Sequence, residues 1–328
     1  MVKTAILSKI GPAEEVVNIE SISQSDFDDF SVLVKMQFAP INPADILMIE
    51  GNYASVPNCP TEVGIEGSGI IEEVGNKITN FKVGDKVMCL SRTNWKTTQV
   101  LKENEVVKLP ESIDLQQAAM LKVNLASAYL MLTNFRKLSK GDWIIQNASN
   151  SAVGKNIIYL SKSLGLKTIN LVRRDNVIDE LFDIGADIVI NSDDINVIKK
   201  ELYSKVDGPI SLGIDAVAGD ATNLLASLVN ESGLVINYGL LSGKPCTIDP
   251  LNIVFRSIVI EGFWLAKEMR SMDYMAISTM YSNLIPFITN KQIYVNVDKT
   301  FPLSKISEAL KAAKSYGRNG KIQLDLQG

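Results

Sequence analysis

A turn rich in asparagine and serine, followed by two adjacent arginines, holds the side chains best suited to gripping a charged small molecule. The turn lies in GDWIIQNASNSAVGKNIIYLSKSLG, residues 141–165. An apolar run, WIIQ, leads into it and an amphipathic run leaves it, so the stretch reads as strand, turn and helix. Phosphate groups bind where backbone N–H groups and a helix N-terminus face them. NASNSAVG has one glycine, Gly154, where a dinucleotide-binding fingerprint has three. Asn147, Ser149, Asn150 and Ser151 could supply donors in place of bare backbone, and Gly154 would let the helix pack close to its strand. A plain helix start capped by Asn150 or Ser151 explains the same residues. One strand–helix unit later, KTINLVRRD puts Arg173 and Arg174 at a strand end. An NAD-specific fold carries Asp or Glu there for the ribose 2′-hydroxyl. Two guanidinium groups suit a 2′-phosphate, which makes NADPH the expected cofactor, with a solvated surface pair as the alternative.

Other chemistry is excluded by what is missing. The 328 residues include no histidine, which removes Ser-His-Asp and Cys-His catalysis and the commonest zinc ligand. Cys59, Cys89 and Cys246 stand far apart with no C-x-x-C pair, so free thiols are expected, and no metal site. Net charge is −4, from 33 basic and 37 acidic residues, which offers no general attraction to nucleic acid or an anionic membrane. No run approaches the ~20 apolar residues that span a bilayer. The first residues, MVKTAILSKIGPAEEVV, alternate like a strand and lack the form of a targeting peptide, which predicts a cytoplasmic protein.

The elements that must position these residues fall into two patterns. The first third is β-rich: VKTAILS, FSVLVKMQFA, SGIIEEVG and DKVMCL alternate or run apolar between Gly and Pro. LQQAAMLKVNLASAYLMLTNF has helical spacing. From Trp143 strands and helices alternate through SIVIEGFW, as a doubly wound parallel sheet requires. After a helix near MDYMAISTMYSNLIPFI, the strands YVNVDKTFPL and KIQLDL flank a last helix. The expected organisation is α/β: a Rossmann dinucleotide-binding domain over 120–289, and a β-rich domain over 1–119 that resumes at 290–328.

The stretches PINPADILMIEGNY, VGIEGSGIIEEVG, VGDKV, WKTTQV, AAMLKVNLASAYLML, GDWIIQNASNSAVG, KTINLVRRD, VINYGLLSGKP and IEGFWL resemble the medium-chain dehydrogenase/reductase superfamily over nearly the whole chain. VGIEGSGIIEEVG and VGDKV mark only the superfamily. VN-x-x-x-AY-x-ML, IQNASNS-x-VG, KTIN-x-VR and GFWL resemble its zinc-free, NADPH-dependent 2-enoyl thioester reductases. The resemblance implies that the β-rich domain is GroES-like and catalytic. Zinc alcohol dehydrogenases have G-H-E where this sequence has Gly64-Ile65-Glu66, and the cysteine-rich lobe for structural zinc is missing. The resemblance implies Tyr53, in EGNY, as the catalytic residue. It implies cofactor contacts at Asn124, at Asn150, Ser151, Ala152 and Val153, at Arg173, at Tyr238, Gly239, Leu240 and Leu241, at Phe263, Trp264 and Leu265, and at Lys321. The family pattern after Arg173 is closer to R-D-R than to R-R-D, which leaves open whether Arg174 or Asp175 faces the phosphate.

Reducing a 2-enoyl thioester sends hydride to C3, builds negative charge on the thioester oxygen and requires a proton at C2. A tyrosine hydroxyl can serve both needs, since a phenol is ordinarily protonated at neutral pH. Trp264 and Leu241 would wall an apolar acyl chain. A quinone reductase of the same superfamily is the competing reading, and an NADPH-binding protein without turnover a third. Partners are then a small-molecule substrate, an acyl thioester or a quinone, and, by resemblance, a second copy paired along the strand edge near residue 258.

Overall fold

The computed structural model describes residues 1–328 except Tyr316, Gly317 and Asn319. It divides into two compact units, 1–123 with 274–328, and 124–273.

The second unit carries six parallel strands in the order Ile188–Asn191, Lys167–Val172, Trp143–Gln146, Ile210–Asp215, Leu234–Asn237 and Val259–Gly262. Most of these strands are buried on both faces, as a parallel sheet covered by helices requires. Trp143, Ile145, Ile169, Leu171, Leu225 and Val235 form the core on one side. The order runs outward from Trp143–Gln146 in both directions, so the chain reverses between that strand and Ile210–Asp215. In open α/β sheets, ligands bind outside the carboxyl ends at such a reversal.

The first unit is built from antiparallel strands. Its largest sheet runs Val297–Pro302, Lys321–Asp325, Ser31–Pro40, Gly67–Val74, Lys86–Cys89 and Val106–Lys108, with Thr98–Lys102 also paired to Ser31–Pro40. Val297–Pro302 lies parallel to its neighbour Lys321–Asp325. Val17–Ile22, Val2–Leu7 and Thr61–Glu62 form a smaller sheet. Trp95, Leu7, Met36, Ile71, Leu310 and Leu324 fill the core between these elements.

The single helix expected over 115–135 is interrupted. Leu115–Ala118 and Ala126–Thr133 are α-helical, and Leu121–Leu125 between them forms a wider π-type turn. The backbone N–H of Val123 donates to Glu66 Oε2 at 2.9 Å rather than to the helix ladder. Tyr281 donates its hydroxyl to the carbonyl of Lys122 at 2.8 Å. Apolar spacing predicts helix here, and competing buried partners redirect the backbone.

Candidate functional site

In the second unit, the strand Trp143–Gln146 delivers the chain to the 147–151 turn and the helix Ala152–Leu164. Ser151 is the cap: its hydroxyl accepts the N–H of Gly154 at 3.1 Å. As in any first helical turn, the N–H groups of Ala152 and Val153 have no intrahelical partner. A Cβ on Gly154 would lie 2.6 Å from the carbonyl oxygen of Ser149, so only glycine allows this close helix start. Two donors suggested by composition face the interior. Asn147 donates to Asp215 Oδ1 at 2.7 Å. Ser149 has no exposure, and its hydroxyl donates to the carbonyls of Gln146 and Leu171, both at 3.2 Å. Asn150, Ser151 and the helix N–H groups remain for an anion.

Arg173 and Arg174 follow the strand Lys167–Val172, and both are exposed with no side-chain partner among the described residues. Asp175 accepts from Asn191 Nδ2 at 2.7 Å, which ties it to the end of the neighbouring strand. Tyr238, Gly239, Leu240 and Leu241 follow the strand Leu234–Asn237. The Tyr238 hydroxyl is hydrogen-bonded with Ser151, and burial pushes its pKa up. Leu240 and Leu241 are exposed. Phe263, after the strand Val259–Gly262, is buried edge-on against Phe135, with centroids 5.8 Å apart. Trp264 precedes the helix Leu265–Arg270, and its ring lies 4.8 Å from the Arg270 guanidinium. The expected contacts 150–153, 173–174, 238–241 and 263–265 thus all follow carboxyl ends of one parallel sheet. Asn124 stands apart in the Leu121–Leu125 turn; it is buried, and its amide nitrogen has no partner among the described residues. That orphaned donor, the close start at Gly154 and the two free arginines fit a phosphorylated dinucleotide.

In the first unit, Asn42 and Pro43 open the helix Pro43–Ile49, and Asp45 Oδ2 accepts the N–H of Asn42 at 2.8 Å. Gly51, at φ +76°, turns the chain out of that helix, where an L side chain would be strained. Tyr53 follows on the loop, partly buried against the core. The Arg92 guanidinium lies 5.9 Å from its ring centroid, within cation–π range. Lys321 does not lie open at the surface: it is buried and donates to Asn42 Oδ1.

Sequence patterns did not single out a set of buried charges here. Asp45 also accepts the N–H of Ile65 at 2.9 Å, and burial raises its pKa to about 6. Glu66 accepts from Asn42 Nδ2 at 2.8 Å, and burial raises it too. Lys122 donates to the carbonyls of Ile65, Leu90 and Ser91 at 2.6, 2.7 and 2.7 Å. Burial lowers its pKa to about 8, opposed by Glu66. Burial likewise lowers Lys321. The N-P-A-D spacing of a capping box signals Asp45 and the Gly64-Ile65-Glu66 motif contains Glu66, whereas nothing local signals Arg92 or Lys122.

Two family models match: the alcohol dehydrogenase GroES-like domain over residues 28–111 and the zinc-binding dehydrogenase over 152–287. A Dictyostelium discoideum protein named enoyl-[acyl-carrier-protein] reductase, mitochondrial, is 34% identical over 97% of this chain and 93% of its own. The chain belongs to the medium-chain dehydrogenase/reductase superfamily. It is an oxidoreductase of that superfamily, with a GroES-like domain and a parallel-sheet domain. Among solved structures of the superfamily, a putative NADPH:quinone reductase from Bacillus thuringiensis superposes with TM-score 0.91 at 26% identity, covering 99% of this chain and 98% of that one. A mitochondrial 2-enoyl thioester reductase heterodimer from Candida tropicalis gives 0.87 at 25%, covering 99% of both. These relatives support reduction of either an enoyl group or a quinone. They also correct the expected cytoplasmic location, because the Dictyostelium and Candida enzymes are named mitochondrial. That expectation rested on the first residues, and Val2–Leu7 is a core strand whose alternation reports packing rather than compartment.

Proposed function

We propose that this chain reduces the 2,3 double bond of a trans-2-enoyl thioester and uses NADPH to do so. The observation that carries the reading is the likeness, along nearly the full length of both chains, to an enzyme named for enoyl thioester reduction. The Tyr53 loop supports it locally, with a phenol held beside a guanidinium.

Asn150, Ser151 and the N–H groups of Ala152 and Val153 would hold the pyrophosphate. Arg173 and Arg174 would hold the 2′-phosphate, since Asp175 is engaged by Asn191. Asn124, Tyr238–Leu241, Phe263–Leu265 and Lys321 are the further proposed contacts. NADPH, when bound, supplies the hydride that C3 receives. Tyr53 donates a hydrogen bond to the thioester oxygen as negative charge develops there, and its hydroxyl is the proton source for C2. Arg92 keeps a positive charge next to that phenol. The chemistry is zinc-independent in this proposal: Ile65 occupies the ligand position of zinc alcohol dehydrogenases, and its N–H serves Asp45.

A quinone as acceptor is the second reading, favoured by the TM-score of 0.91 to the Bacillus protein. It would need no proton donor at Tyr53. The deciding experiment follows NADPH consumption by wild type and Tyr53→Phe with trans-2-enoyl-CoAs and with quinones. Loss of a positioned general acid predicts a fall in enoyl-CoA kcat of about 10²-fold or more, with KM little changed. Quinone turnover that survives the substitution, without enoyl-CoA turnover in wild type, would replace this proposal with the second reading.

We also propose a homodimer. Val259–Gly262 is the last strand of its sheet, with Val259 exposed, and Leu251, Val254 and Phe255 beside it are 57, 65 and 73% exposed. An open strand edge next to apolar surface suits pairing with a second copy.

A further inference from the structure

Asp215 ends the strand Ile210–Asp215 and has no solvent exposure. Its two oxygens collect five donors. Oδ1 accepts from Asn147 Nδ2 at 2.7 Å and from the N–H groups of Val217 and Ala218 at 2.9 and 3.1 Å. Oδ2 accepts from the Thr222 hydroxyl at 2.6 Å and Asn237 Nδ2 at 3.1 Å. Asn147 closes the loop, because its Oδ1 accepts the N–H of Ala216 at 2.8 Å. Asn237 Nδ2 also reaches the carbonyl of Gly239 at 3.0 Å.

Asn147 and Asn237 each stand where a strand passes into a loop of the proposed cofactor site: the first opens the 147–151 turn, and the second the 238–241 segment. Asp215 sits between them, on the strand where the sheet order reverses. The backbone beside the clamp is held in an uncommon conformation. Ala148 and Ala218 have φ of +48° and +63°, which a non-glycine residue keeps only where its surroundings over-determine it. A carboxylate suits this position because it only accepts hydrogen bonds, and every group pointed at it donates.

We propose that Asp215 is a positioning residue for the dinucleotide. Through Asn147 and Asn237 it fixes the phosphate turn and the 238–241 loop in one register. This deepens the proposed function and rests on its reading that these loops hold NADPH. The arginines at 173 and 174 lie outside the clamp, so recognition of the 2′-phosphate should be independent of Asp215.

The test is isothermal titration of the full chain with two probes, NADPH and adenosine 2′-monophosphate. Asp215→Asn turns an amide donor toward groups that also donate. It should raise the NADPH Kd at least tenfold and leave adenosine 2′-monophosphate within twofold. An unchanged NADPH Kd overturns the proposal, as does equal weakening of both probes, which is the mark of general loosening. Should Asp215→Asn fail to fold, Asn147→Ser cuts one arm of the clamp, and Thr222→Val removes a donor from the helix Asp220–Leu228, away from the loops. The first should weaken NADPH about fivefold or more and the second less than twofold; equal effects overturn the assignment. Wild type that binds neither probe removes the cofactor reading, and this inference with it.

Discussion

At the scale of single residues, the proposed function makes Arg173 and Arg174 the groups that would choose between the nicotinamide nucleotides. Both guanidinium groups are solvent-exposed and unengaged among the described residues, so neither must break an ion pair to reach a phosphate. A hydrogen bond to a charged group contributes about 1.5–3 kcal/mol, and each ~1.4 kcal/mol is tenfold in affinity. Arg173→Ala should therefore raise the NADPH Kd about 10- to 100-fold and change the NADH Kd less than about threefold. Equal loss for both nucleotides, measured by titration, would mean that the arginine supports the fold of the loop and does not read the 2′-phosphate. The sequence leaves open whether Arg174 or Asp175 faces that phosphate; Asp175 accepts from Asn191 at the neighbouring strand end, which favours Arg174 in the proposal. Pattern alone does not show that engagement, because Asn191 lies 16 residues from Asp175.

At the scale of elements, Lys122 joins three segments of the first unit. Its ammonium donates to the carbonyls of Ile65, Leu90 and Ser91, and its own carbonyl accepts the Tyr281 hydroxyl. Burial lowers its pKa from 10.5 to about 8. Between those values the unfolded chain holds the proton more firmly than the folded one, so this group's contribution to stability rises as pH increases from 8 to 10.5. Denaturant unfolding of wild type and Lys122→Met at pH 8 and pH 10 measures it. The variant should be less stable at both, and should lack the part of the wild-type response that favours pH 10. An identical pH response in the two proteins would show that the buried ammonium carries no such penalty. The apolar spacing of 115–135 reads as one helix and hides the turn that splits it, because Glu66 and Tyr281 reach that turn from far along the sequence.

At the scale of the whole molecule, the edge of the parallel sheet governs assembly in the proposed dimer. Val259→Lys would put a charge on the exposed edge strand, where pairing with a second copy buries it. Light scattering should show a dimer for wild type and a monomer, or a dimer weakened at least tenfold, for the variant, with NADPH binding retained. A wild-type monomer at all concentrations tested would refute the assembly.

The sequence by itself determined the alternation of strands and helices from Trp143 onward, the β-rich first third and a capped helix start at Asn150 or Ser151. Each is written in short-range spacing, where apolar period and capping chemistry act within a few residues. It also settled that no histidine can take part. The tertiary structure decided which polar side chains face outward. Asn147 and Ser149 have the composition of phosphate donors, yet their partners, Asp215 and the carbonyl of Leu171, lie 68 and 22 residues away, and these turn both inward. Arg92 is near Tyr53, and Lys321 against Asn42, for the same reason. A buried polar group must find its partner wherever the packed chain provides one, and only the completed fold says where that is.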